Sequence, residues 1–178
     1  RGYGEGRKEL YECRKSRAKL HLDDKVLTAW NSLMICAMAV LYRVTGNRKY
    51  LSAAKKNQRF IEEHLVDGDF LYVSCRGDKP SVKGFLDDYT YYAAALLCLY
   101  EANAGSEYLE RAKQIMEETE QQFADQDGGG YFLYGTQNNS LITKPKETYD
   151  GALPSGNSVM AYCLVRLSQI AEGKTYTE

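Results

Sequence analysis

Histidine is nearly absent from this 178-residue chain: His21 and His64 are the only two. Four-ligand zinc sites of the Cys/His kind therefore have few donors, and the cysteines do not supply the rest. There are five, Cys13, Cys36, Cys75, Cys98 and Cys163, an odd number with no Cys-x-x-Cys spacing. No metal site and no redox-active dithiol motif is expected. Cys36, Cys98 and Cys163 each fall inside an apolar run, which reads as buried free thiols in a reducing, cytoplasmic setting. Charge of one sign is also lacking. Twenty-three basic residues face 24 acidic ones for a formal charge of −1, so no general attraction to nucleic acid or anionic membrane follows. No apolar stretch is long enough to span a bilayer. Nothing at the start resembles a secretory signal, and the first residue is Arg1 rather than methionine. No cofactor motif is present.

What the chain does have is a 44% apolar fraction, enough for one ordinary domain over residues 1–178. Its apolar residues alternate between two helical patterns. From about 24 to 44, Val26, Leu27, Trp30, Leu33, Met34, Ala37, Met38 and Leu41 share the helix with Ile35, Cys36, Ala39 and Val40, so apolar side chains occupy most of the circumference. Such a helix is expected to be buried on most sides. Residues 48–65 instead carry one apolar stripe through Leu51, Ala54 and Ile61, with Lys, Gln, Arg and Glu elsewhere, an outward-lying amphipathic helix. The alternation continues with an inner helix from Asp87 to Tyr100 and an outer one over 106–123, striped by Tyr108, Ala112, Ile115, Met116, Thr119 and Phe123. A third inner helix follows from Val159 to Ile170, and residues 5–18 suit a short charged helix in front.

Each inner helix opens on a compact polar cluster. These are Asp23-Asp24-Lys25 with Trp30-Asn31, Gly84-Phe85-Leu86-Asp87-Asp88-Tyr89, and Pro154-Ser155-Gly156-Asn157-Ser158. Asp24 and Asp88 are 64 residues apart, Asp88 and Asn157 69. A repeat of helix pairs at that period predicts an all-α fold, a fragment of an α/α toroid in which the inner helices open on one side. The links from outer to inner helix, Gly68-Asp69-Phe70-Leu71-Tyr72 and Gly129-Gly130-Tyr131-Phe132-Leu133-Tyr134, both suit short β-hairpins at that end, and Gly46 suits a left-handed helix C-cap.

The clusters supply the candidate site. Asp87 and Asp88 can cap the helix and favour its positive end, contact a ligand as well, or act as general acid or base. Asp23 and Asp24 face the same alternatives. His21 is either structural or a proton shuttle, and Trp30 either packs in the core or stacks on a sugar ring. The Pro-Ser-Gly-Asn turn presents backbone N–H groups suited to an anion or sugar oxygens. Glu147 and Asp150 are acid/base candidates from the preceding loop, with an intraloop salt bridge to Lys146 as an equal alternative. Asp24, Asp87, Asp88, Glu147 and Asp150 are thus the catalytic candidates. His21, Asp23, Trp30, Asn31, Tyr89, Ser155 and Asn157 are the substrate-binding ones.

In their order and spacing these segments, together with Tyr100-Glu101-Ala102, Lys146-Glu147 and Asp150-Gly151-Ala152, resemble the YyaL-type, spermatogenesis-associated thioredoxin-domain proteins. Leu20 stands where that family suggests a proline. The resemblance implies an internal part of a six-hairpin α/α toroid, similar to those of N-acylglucosamine 2-epimerases and many glycosidases. It also implies a thioredoxin-like domain outside this chain as partner. A carbohydrate ligand with epimerase or glycoside hydrolase chemistry is expected, or else a non-catalytic binding or scaffold module. Five such helices do not close a six-hairpin ring, so apolar flanks covered by self-association are expected too.

Overall fold

A computed structural model describes residues 3–17, 22–77, 79–136 and 143–170. Six helices run through them: α1 (Tyr3–Lys15), α2 (Thr28–Thr45), α3 (Arg48–His64), α4 (Leu86–Glu101), α5 (Glu107–Phe123) and α6 (Gly156–Ile170). The short strands β1 (Val26–Leu27), β2 (Val66–Asp67), β3 (Phe70–Leu71), β4 (Ser74–Arg76) and β5 (Lys79–Pro80) lie between them. The chain is an all-α fragment of an α/α toroid. Helix α1 buries none of its residues.

The centre of the fold is α4, which packs against α2, α5 and α6. Its sequence has apolar or aromatic residues on every side, and twelve of its sixteen residues are buried. The outer helices behave as their stripes require. In α5 the buried residues are Tyr108, Ala112, Ile115, Met116, Thr119 and Phe123, the expected stripe residue for residue. Each large apolar side chain so covered contributes about 1.5–3 kcal/mol. A polar tie adds to the seam of α3, α4 and α5: the Tyr92 hydroxyl donates to Glu62 Oε1 at 2.5 Å, the same oxygen accepts from Arg111 Nε at 3.0 Å, and Gln58 donates to Tyr92. Gly46 ends α2 in the left-handed conformation, φ 67°, its N–H returning to the Tyr42 carbonyl.

Helix α2 departs from expectation in two ways. It begins at Thr28 because Val26 and Leu27 pair with Cys75 and Ser74, forming a β1-β4-β5 antiparallel sheet. It is also buried on one side only, through Thr28, Ser32, Ile35 and Ala39, because α3 and α4 cover that side and no described helix covers the other. Trp30, Met34, Leu41 and Val44 are left exposed, Trp30 at 64% and Val44 at 79%. Helix α6 likewise exposes Tyr162 and Val165. Apolar flanks on the inner helices are present in the structure.

The two outer-to-inner links also differ. The first forms a hairpin, with Val66 opposite Leu71 and Asp67 opposite Phe70 around Gly68 at φ 58°. The second keeps a single bridge between Ala124 and Tyr131. Its remaining groups are committed elsewhere: the Tyr131 N–H donates to Asn157 Oδ1, the Leu133 N–H to the Pro145 carbonyl, and the Leu133 carbonyl accepts from the Leu86 N–H. The Phe132 N–H also donates to the Phe123 carbonyl and the Asp125 N–H to the Gly130 carbonyl, so the segment folds back on the end of α5 while being held to the α4 and α6 openings; residues 137–142 of the link lie outside the described residues.

Candidate functional site

At the opening of α2, Asp23 and Asp24 are exposed and turned toward the sheet. Arg76 of β4 pairs with both, its Nε 2.6 Å from Asp24 Oδ1 and its Nη2 3.4 Å from Asp23 Oδ1, and Lys25 lies 3.4 Å from Asp23. These carboxylates tie the segment before α2 to β4. Asn31 donates to the Leu27 carbonyl at 2.8 Å, closing the first turn of the helix, while its own carbonyl accepts from Asn57. Trp30 lies on the open flank rather than in the core. His21 lies outside the described residues.

At the opening of α4 the two aspartates have separate environments. The N-cap position belongs to Phe85, which has no side-chain acceptor, so Asp88 three residues on performs the capping. Its Oδ2 accepts the Phe85 N–H at 2.9 Å. The backbone N–H of Ala29 in α2 is near enough to favour the ionised carboxyl, so the α2 opening lies beside that of α4. Asp88 is only 4% exposed. Burial pushes its carboxyl up to about 7, the Phe85 N–H opposing, the adjacent Asp87 adding and the Ala29 N–H opposing.

Of the readings open to Asp87, capping is not the one the structure takes, since Asp88 fills that role. Its Oδ1 is buried without a hydrogen-bond partner among the described residues. Burial raises its carboxyl, the Gly156 N–H at the start of α6 works against that rise, and the Glu147 carboxylate reinforces it. The close approach depends on glycine, since a Cβ on Gly156 would lie 2.6 Å from Asp87 Oδ1 and 2.7 Å from Leu86 Cγ.

Tyr89 points into the core. It is fully buried, its hydroxyl accepts the Leu71 N–H at 2.9 Å, and its ring meets Phe123 edge-on at 5.1 Å. It presents no surface to a ligand.

At the opening of α6 the turn's own side chains fill most of the free N–H positions. Asp150 Oδ1 accepts the Ser155 N–H at 2.8 Å and its Oδ2 accepts the Ser158 hydroxyl at 2.9 Å, contacts that hold the Asp150 carboxyl below the usual range. Ser155 Oγ accepts the Ser158 N–H at 3.2 Å. Asn157 binds Tyr131 through both backbone groups and donates to the Glu147 carbonyl at 2.9 Å. Lys146 turns to Asp125 and the Gly129 carbonyl rather than to Glu147. Tyr91, fully buried on α4, donates to the Pro154 carbonyl and anchors the loop from inside.

The structure thus gathers Asp87, Asp88, Glu147, Asp150, Ser155 and Asn157 where α4 meets α6, with the α2 opening beside them at Ala29. Asp87 is the carboxylate there with a buried, unengaged oxygen. A cleft of about 640 Å³ lies elsewhere, between β3 and α5, lined by Asp69, Arg111, Glu118 and Gln122. Among the described residues no group of His, Cys, Asp and Glu is arranged to hold a metal ion, and no helix is long and apolar enough to cross a membrane. Two contributors had no role assigned from sequence: Gly156, whose signal is a glycine at the first turn after a serine cap, and Tyr91, whose signal is its position one turn after Asp87.

Inner helices packed against outer ones, with polar clusters at the inner openings, mark a fragment of a glycosidase-like six-hairpin α/α toroid. Solved structures show the same fold. An α-mannanase of family 76 from Bacteroides thetaiotaomicron superposes with a TM-score of 0.71 at 16% identity, covering 89% of this chain and 43% of its own. A cellobiose 2-epimerase from Bacillus thermoamylovorans gives 0.72 at 18% identity over the same shares, 89% and 43%. The pattern of Glycosyl hydrolase family 76 matches residues 28–177, and the chain belongs to that family. Spermatogenesis-associated protein 20 of Rattus norvegicus is 35% identical over 184 residues, covering 97% of this chain. The chain spans 23% of that relative's length.

Proposed function

We propose that this chain supplies part of a carbohydrate site, in which Asp87 meets the sugar and Glu147 is the second carboxylate. The observation that carries the reading is the buried, unpartnered Asp87 Oδ1 beside a loop carboxylate that raises its proton affinity. A carboxyl held toward its protonated form can donate to a glycosidic or hydroxyl oxygen, as acid catalysis on sugars requires. Asp88 keeps Asp87 in place by fixing the start of α4, and Asp150 and Asn157 fix the Glu147 loop. Asp23, Asp24, Trp30 and Asn31 would border the sugar from the α2 side, with Ser155 at the α6 turn. Hydrolysis and epimerisation both fit such a pair. Calorimetric titration of the chain with mannose, α-mannobiose and cellobiose tests the reading, because the structural neighbours bear the names of a mannanase and a cellobiose epimerase. Binding that disappears in folded Asp87→Asn protein supports it; binding undiminished in that variant overturns it.

A second reading has its own observation. Asp23, Asp24, Asp88, Asp150 and Asn157 are all engaged in internal bonds, as a non-catalytic scaffold would require. In that case the module would serve a thioredoxin-like partner domain, and none of the three sugars would bind. Cys36, Cys98 and Cys163, drawn from three packed helices and in no disulfide, support a reducing compartment such as the cytoplasm. The open flank through Trp30, Met34, Leu41 and Val44 supports self-association of the chain, which light scattering over a concentration series would register as a rising mean mass.

A further inference from the structure

A six-hairpin ring has six inner helices, and the described residues supply three of them in unbroken order, α2, α4 and α6, with α4 packed against both of the others. The superpositions agree with that share, since the chain accounts for 43% of the α-mannanase and 43% of the cellobiose 2-epimerase. The flanks of the row carry matching surfaces. On α2 the exposed side bears Trp30, Met34, Ala37, Leu41 and Val44, in alternating steps of four and three residues. Such steps make a straight seam along a helix, the arrangement that packs against a second helix. Each of its first four members lies two residues on from Thr28, Ser32, Ile35 or Ala39, about 200° round the helix, so the seam faces away from the buried side. On α6, Tyr162, Val165 and Gln169 keep the same steps and are exposed, two residues on from the buried Met160, Cys163 and Leu167. Neither stripe holds a charged residue. The water-facing side of α3, by contrast, carries Lys49, Lys56, Arg59 and Glu63. Helix α4, with a neighbour on each side, is buried almost all round.

We propose that two copies of this chain close one ring, α6 of each copy packing against the open flank of α2 in the other. The self-association supported by the open flank thereby gains a partner face and a copy number. The contact joins two different surfaces, so it propagates unless rotation brings the chain ends together. Three inner helices of six subtend half a turn. The second α6-to-α2 contact is then the same as the first, related by a two-fold axis along the ring, and no open flank remains to recruit a third copy. An α2-to-α2 pairing would cover one flank of each copy and leave both α6 flanks in water, so it satisfies half of the exposed surface. The ring also completes the candidate site. Asp87 and Glu147 lie at the opening of one half-ring, and the second copy would bring the same pair to the facing wall, with Trp30 at the site end of the seam between them. That shared pocket rests on the sugar reading above; the ring does not.

The test is sedimentation equilibrium of the 178-residue chain over a wide concentration range, without sugar, paired with the emission of Trp30, its only tryptophan. The mean mass should rise to a plateau at twice 20.2 kDa, and Trp30 emission should move to shorter wavelength along the same curve. Met34→Glu and Val165→Glu place a charge on the α2 and α6 seams at exposed positions. Each should hold the mass at that of a single chain and keep Trp30 emission at long wavelength, with the helical circular dichroism unchanged. Val82→Glu, an exposed position before α4 and off both flanks, should leave the plateau in place. A single-chain mass at every concentration overturns the proposal, as does a mass that passes two copies without a plateau. A folded Val165→Glu protein that still pairs overturns the α6-to-α2 contact, and so does a dimer in which Trp30 emission stays at long wavelength. Neither readout involves a sugar, so failure here leaves the carbohydrate reading to its own titration, and absence of sugar binding leaves the ring standing.

Discussion

The Asn157 side chain grips the backbone of Tyr131 from both sides, Oδ1 accepting its N–H at 2.8 Å and Nδ2 donating to its carbonyl at 2.9 Å. A side-chain amide thus does for Tyr131 what a neighbouring strand would do, and a third bond to the Glu147 carbonyl extends the grip to the candidate site loop.

Replacing Asn157 by Asp turns the donating end into an acceptor that faces two carbonyl oxygens. Loss of those bonds with added repulsion should cost about 2–3 kcal/mol, read from urea denaturation. A change within about 0.5 kcal/mol would show that the grip carries no weight.

The two adjacent aspartates should separate cleanly on truncation. Asp88→Ala leaves the Phe85 N–H without its acceptor and should lower stability by about 1–3 kcal/mol at pH 5. Asp87→Ala removes an oxygen with no partner and should cost less. Equal losses in the two variants would contradict the division between a positioning carboxylate and a free one.

Stability should fall as pH rises. Burial raises both aspartates, Asp88 to about 7, above the value of about 3.9 expected in the unfolded chain. Between those values the folded state binds more protons than the unfolded one. The contribution is therefore fully present below about pH 4 and is lost as pH rises through about 7. Chemical denaturation at pH 5 and pH 7.5 should show the higher midpoint at pH 5, and Asp88→Asn should flatten the difference. A wild-type midpoint that climbs with pH, unaltered in the variant, would refute the linkage.

Gly156→Ala forces a methyl group to 2.6 Å from Asp87 Oδ1 and 2.7 Å from Leu86 Cγ. Overpacking of this kind typically costs about 1–3 kcal/mol, and here it also pushes α6 away from the carboxylate. A thermal melt gives the first effect and sugar titration the second; an unshifted melting point with binding retained would exclude the close approach.

Much of the scaffold was legible from spacing. The α5 stripe emerged complete because an outer helix has one wet face and one dry one, so composition and position coincide. Burial in α2 was overestimated, because an apolar circumference states what a helix can cover, not which neighbours are there. The second link pairs Ala124 with Tyr131 as a short hairpin does, but it also sends the Tyr131 and Leu133 N–H groups to Asn157 and Pro145, partners that no local pattern reveals. The aspartate pair was legible as a feature and opaque in its roles. Those depend on Ala29 and Gly156, each brought to the carboxylates by packing.

Helix α4 is almost wholly enclosed, yet it carries the two aspartates at its first turn. The polar end of such a helix has little freedom to open by itself, because its neighbours α2, α5 and α6 all lean on it. Amide hydrogens along α4 should therefore exchange with solvent only through unfolding of the whole domain, and at a single common rate limit. Sites on loops can adapt to a ligand by local rearrangement. Here the carboxylates of the proposed site sit on the helix that holds the fold together, so a substitution at Asp88 is felt by the scaffold as well as by the site.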